Sequence, residues 1–89
     1  MKFRKKPVVI EAWQIGPPND DRTREAPPDW LVSAIASGHC YALPEGGVAI
    51  NTMEGTMTGN VNDWIIRGVK GELYPCKPDI FAATYESAE

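Results

Sequence analysis

The residues of this chain with the greatest chemical reach are one imidazole and two thiols, His39, Cys40 and Cys76. Zinc accepts imidazole and thiolate together, and a histidine can activate a cysteine for nucleophilic attack. Spacing argues against both uses. No C-x-x-C or H-x-x-x-H pair is present, and adjacent residues of a strand point to opposite faces, so His39 and Cys40 do not make a ligand pair. The expected roles are an exposed histidine beyond the end of a helix and cysteines packed as small hydrophobes. No metal ligand, cofactor or catalytic residue is assigned.

Glu54, Asp63, Glu72 and Asp79 offer general acid and base chemistry, yet each has a plainer place. Glu54 and Asp63 fall in turns, Glu72 falls opposite Arg67 across an expected hairpin, and Asp79 sits in a first helical turn after Pro78. Gly68-Val69-Lys70-Gly71 lacks the strand-to-helix setting and the Gly-Lys-Ser/Thr ending of a phosphate loop, and reads as the hairpin turn. Around it lie the binding candidates Arg67, Lys70, Glu72, Tyr74 and Lys77, with Trp64 close by. Cations interleaved with aromatic rings suit stacking on bases with phosphate contacts. Against that use, 9 Lys and Arg face 12 Asp and Glu, a net charge of −3, which gives no long-range attraction for nucleic acid or anionic lipid.

The elements that hold these side chains belong to one domain, since 89 residues suffice for one core. An apolar content of 43% with 24% charged residues fits a folded globule rather than a disordered chain. Two cysteines without a secretory pattern read as reduced thiols of a cytosolic protein. The basic start Lys2, Arg4, Lys5, Lys6 is followed by only Val8-Val9-Ile10 before Glu11, too short for a signal core or a membrane span.

The expected order begins with a strand over 6–15, interior to its sheet and covered on nearly both faces. An exposed loop follows over 16–26. A helix over 28–37 opens at Pro27-Pro28-Asp29, lays Trp30, Leu31, Ala34 and Ile35 on the sheet and stops at Gly38. Short strands come next over 41–43, 48–52 and 56–58, and a hairpin pairs 64–67 with 72–74, ending where Pro75 removes a donor. A helical turn over 78–83 closes the chain. The fold class is α+β: a single small domain whose bent, mostly antiparallel sheet of about five strands carries one short helix. Trp13, Trp30 and Trp64 are the expected anchors, one per element, with Trp64→Ala expected to leave the fold barely populated.

The run Trp64-Ile65-Ile66-Arg67-Gly68-Val69-Lys70-Gly71-Glu72-Leu73-Tyr74-Pro75-Cys76-Lys77-Pro78-Asp79-Ile80-Phe81 resembles a hallmark of small uncharacterised proteins of tailed phages and prophages. Thr52-Met53-Glu54-Gly55-Thr56-Met57 and Lys5-Lys6-Pro7-Val8-Val9-Ile10-Glu11-Ala12 fit as well. Where such proteins carry Gly-Asp before the aromatic residue, this chain has Asn62-Asp63, and asparagine tolerates the left-handed backbone. The resemblance implies a phage-encoded protein acting in the bacterial host cytoplasm or on a virion, and brings no catalytic residue with it. The expected function is a non-enzymatic accessory module that binds a protein of phage or host, or a second copy of itself. A nucleic-acid-binding regulator built on the basic and aromatic hairpin is the second choice, and a small enzyme the third.

Overall fold

In a computed structural model, described for residues 1–3, 9–16 and 26–86, the chain forms six strands and two helices. They are β1 (Glu11–Gln14), α1 (Asp29–Ala36), β2 (Cys40–Ala42), β3 (Val48–Thr52), β4 (Gly55–Gly59), β5 (Trp64–Arg67), β6 (Leu73–Cys76) and α2 (Pro78–Thr84). The α+β class holds. The expected single bent sheet of about five strands is instead two antiparallel sheets of three, ordered β1-β5-β6 and β2-β3-β4. Residues 17–25 of the expected loop, and Arg4, Lys5 and Lys6, lie outside the described residues.

The division has a cause in β6. Pro75 stands inside that strand, opposite Ile65, so the ladder runs past the proline that was expected to end it. An edge position tolerates this, because there the missing N–H costs no ladder bond. Beyond Pro75 the second sheet packs instead of pairing. At Gly59 an added Cβ would lie 2.8 Å from Ile15 Cδ1 and 3.3 Å from Pro75 Cβ. The absent side chain lets the two sheets meet there.

Strand alternation sorts the first sheet into two faces. Glu11, Trp13, Ile65, Arg67, Leu73 and Pro75 share one, while Ala12, Gln14, Trp64, Ile66, Tyr74 and Cys76 share the other. The first face carries the core, in which Trp13, Ile15, Ile65 and Leu73 meet Leu31 and Ala34 of α1 and Cys40, Val48 and Ile50 of the second sheet. β1 was expected inside its sheet, but among the described residues it stands at the edge. It buries Trp13 while Glu11 and Gln14 stay exposed, so one face suffices to hold it.

Helix α1 follows its stop signal, with Gly38 at φ +83° donating to Ile35 O. Its stripe is narrower than expected. Leu31 and Ala34 are buried and Trp30 packs at the rim, whereas Ile35 is 46% exposed. Asn62 is the one described non-glycine residue at positive φ, +77°, as its tolerance of that region suggests. The tryptophans are unequal anchors: Trp13 is buried, but Trp30 and Trp64 are half-buried. The full burial that would make Trp64→Ala ruinous belongs to Trp13.

Two glycine substitutions separate backbone strain from steric clash. Gly38 (φ +83°) has nothing within 4 Å of an added Cβ, whereas at Gly47 (φ +94°) that atom would lie 2.6 Å from the backbone oxygen of Gly59. Gly38→Ala is expected to cost about 1–2 kcal/mol from the left-handed backbone alone. Gly47→Ala should cost about 1–3 kcal/mol beyond that, because a strand carbonyl cannot step aside. Urea unfolding midpoints of the two variants measure the gap.

Candidate functional site

The five binding candidates are distributed around the β5–β6 hairpin. Register sets Leu73 opposite Arg67, so Glu72 lies in the turn and not across from Arg67 as expected. Its backbone oxygen accepts from Gly68 N at 2.8 Å, its carboxylate accepts from Lys70 N at 3.0 Å, and that carboxylate fills the space a Gly68 side chain would need. Glu72 is thus a turn-forming residue. Arg67 finds its partner on β1, where Glu11 is its cross-strand neighbour and accepts from Nη1 at 3.2 Å.

Lys77 lies at the opposite end of the hairpin. Its Nζ donates to Asp63 Oδ2 at 3.1 Å, and the same oxygen accepts from Asn60 N at 2.9 Å. Asp63, only 4% exposed, is the one buried charged side chain among the described residues. Backbone and ammonium donors together offset its desolvation. The bond closes the turn over 59–63, whose other end is clasped by Ile15 N donating to Asp63 O and Asn62 N donating to Ile15 O.

Lys70 at the hairpin tip and Lys77 at its base are separated by the length of β6, about 10 Å at the usual strand rise. Arg67 faces the α1 side, and Trp64 and Tyr74 face the other. The cations and rings therefore do not share one surface. Trp64 is also covered, since Phe81 stacks on it with centroids 4.1 Å apart and planes 9° from parallel. Phe81 in turn meets Tyr85 at 5.2 Å, and the Tyr85 hydroxyl lies 3.4 Å from that of Tyr74. This aromatic chain is what holds α2, which has no buried residue of its own. Phe81 and Tyr85 were not singled out from the sequence, although their i, i+4 spacing after Pro78 puts both on one helix face.

The thiols are placed for packing. Cys40 is fully buried, and burial pushes its thiol up from the ordinary value. Cys76 is raised as well, first by burial and then by the negative charges of Asp63 and Asp79. A raised thiol is the reverse of an activated one. His39, exposed after α1, lines the α1 side of the first sheet, whereas Cys76 projects from the other side. No group of three His, Cys, Asp or Glu among the described residues is placed to hold a metal ion.

Two surface features remain with the geometry of a binding site. One is a groove of about 560 Å³ between α1 and the hairpin. Trp30, Ser33, Ala34 and Ser37, spaced i, i+3, i+4, i+7 along one helix face, form its first wall; His39, Arg67, Gly71 and Leu73 complete it. The other is the edge of the second sheet at β4, which no strand among the described residues pairs on its outer side. Residues 55–58 of that strand are exposed, and Gly59 alone is buried.

The aromatic chain makes a titration prediction. Burial first, then the hydrogen bond with Tyr85 and the charge of Glu72, push the Tyr74 phenol up to about 12. A raised phenol favours the neutral form in the fold. Its contribution to stability is therefore complete below the ordinary value near 10 and is lost as pH rises toward 12. Ultraviolet titration should resolve Tyr74 as a phenol ionising well above the ordinary value near 10. Tyr85→Phe should bring it down only part of the way, because burial is the larger cause; a return all the way to the ordinary value would contradict that ranking.

No helix among the described residues is long and apolar enough to cross a membrane. No family model matches the chain, and no curated protein or solved structure does so either.

Proposed function

We propose that this protein is a non-enzymatic binding module that recognises a protein by pairing with it along β4, and that a second copy of the same chain is its first such partner. The observation that carries this is the edge strand itself. Natural edge strands are guarded by charge, proline or a bulge; β4 reads Gly55-Thr56-Met57-Thr58-Gly59 and has none of these over its exposed residues. No strand among the described residues pairs with its outer side, which leaves that side for strand addition.

The strand is also held ready. Thr52 Oγ1 donates to Gly55 O at 2.6 Å and accepts from Glu54 N at 3.2 Å, fixing the turn into β4. Thr56 Oγ1 donates to Asn51 Oδ1 at 2.9 Å, and Asn51 Nδ2 donates to Gly38 O at 3.2 Å, tying the edge through β3 to the end of α1. A rigid edge loses little freedom on pairing.

The sequence of β4 is a palindrome about Met57. Antiparallel pairing of two copies around a two-fold axis would set Met57 against Met57 and Thr56 against Thr58, with both glycines at the ends. Such self-complementarity is what an isologous interface requires. It would join two three-stranded sheets into one of six. Met57, 42% exposed in the single chain, would gain its missing cover. The resemblance of residues 64–81 to tailed-phage and prophage proteins supports a partner drawn from phage or host in a bacterial cytoplasm or on a virion.

Met57→Lys and Met57→Glu test the pairing without replacing a buried residue, although Met57 stands opposite the core residue Ile50. Like charges set opposite one another oppose pairing and opposite charges favour it. In sedimentation velocity the parent should associate with rising concentration, each variant alone should stay monomeric, and an equimolar mixture should associate again. Melting temperatures of the dilute monomers should agree within a few degrees. A parent that remains monomeric at every concentration, together with a lysate pull-down that retains no protein, would contradict the proposal.

A further inference from the structure

The groove between α1 and the hairpin has no part of β4 in it, and its chemistry is different. Hydrogen-bond donors dominate its rim. Arg67 uses one N–H on Glu11, and a guanidinium has five. Among the described residues neither the Ser33 hydroxyl nor the His39 ring has a hydrogen-bond partner, and both residues are exposed. Ser37 has already committed its hydroxyl proton to Ala34 O at 3.0 Å. Among the described residues no carboxylate lines the groove, and that of Glu11 is bonded to both Arg67 and Trp30.

Glu11 stands behind this rim as a clamp. One of its oxygens accepts from Arg67 Nη1 at 3.2 Å and the other from Trp30 Nε1 at 3.0 Å. The ion pair itself is exposed on both sides, 43% for Arg67 and 59% for Glu11, so it adds little to stability. What it does is hold a guanidinium and an indole ring at fixed positions on facing walls. Leu73, buried, and Ala34 supply apolar surface, and Gly71 leaves the far wall without a side chain.

From this arrangement the geometry points to a binding site for a small organic carboxylate with a flat apolar body. The carboxylate takes its hydrogen bonds from Arg67, Ser33 and His39, and the body lies along Trp30 toward Leu73. A guanidinium fork matches a carboxylate in shape as well as in charge. The apolar surface selects such a ligand over a bare inorganic anion.

Benzoate, its neutral analogue benzyl alcohol and inorganic phosphate serve as probes at constant ionic strength, followed by amide and indole shifts in heteronuclear NMR. Benzoate should move the Trp30 indole N–H and the Ser33, His39 and Gly71 amides saturably, binding about tenfold or more tightly than benzyl alcohol or phosphate. Arg67→Gln should abolish that binding while amide dispersion shows the fold intact. If Arg67→Gln does not fold, the exposed pair Ser33→Ala and His39→Gln replaces it and should weaken benzoate by about threefold or more. Absence of saturable shifts up to about 50 mM benzoate would overturn the site. So would benzyl alcohol binding as well as benzoate, phosphate binding as well as benzoate, or affinity unchanged in the folded variants.

Discussion

The structure depends on the double burial of β5. Ile65 and Ile66 are adjacent in sequence and point to opposite faces, and both are completely excluded from solvent. A central strand covered on both sides must have something on each side to cover it. Here one side is the shared core with α1 and the second sheet, and the other carries Trp64 and Tyr74 under the rings of α2. Truncating either isoleucine would open a cavity of the kind that costs about 2–5 kcal/mol, a large part of the stability of so small a domain.

This two-sided arrangement separates chemistry that looks contiguous in sequence. Arg67, Lys70, Tyr74 and Lys77 lie within eleven residues of one another. Strand alternation sends Arg67 and Tyr74 to different faces, and the hairpin length sets Lys70 and Lys77 at different ends. Lys77 closes the turn around buried Asp63, and Arg67 serves the groove. The polar residues near this hairpin are mostly engaged in holding it: Glu72 shapes its tip and Asp63 secures its base.

Local pattern made much of this fold legible. The bounds of β3 and β5 follow from apolar runs set between glycine turns, α1 from its proline entry and glycine exit, and the helical turn after Pro78 from the proline itself. The misjudged features depend on contacts between distant segments. Whether β1 is central or at an edge is decided by what lies beside it, and no periodicity in 9–15 contains that. Pro75 reads as a terminator until the strand is known to be an edge, and Ile35 reads as a core residue until the width of the sheet beneath α1 is known. The groove was not legible, because its helix wall ends at Ser37, its hairpin wall starts only at Arg67, and its clamp, Glu11, comes from a third segment. Ser33 and Ser37 share the α1 face of Trp30 and Ala34, a spacing that the sequence holds but that was not singled out.

In β4 the symmetrical run went unnoticed as a sequence, where only a short strand over 56–58 was expected, and it takes its meaning from its position at an edge. Inside a sheet Gly-Thr-Met-Thr-Gly would be unremarked; at an edge its lack of charge is an opening for another strand. Hydrogen exchange as a function of protein concentration reads that opening directly. The amides of residues 55–58 should gain protection as concentration rises, while those of β2, the opposite edge of the same sheet, do not change. Exchange at 55–58 that stays the same from the most dilute sample to the most concentrated would contradict the account.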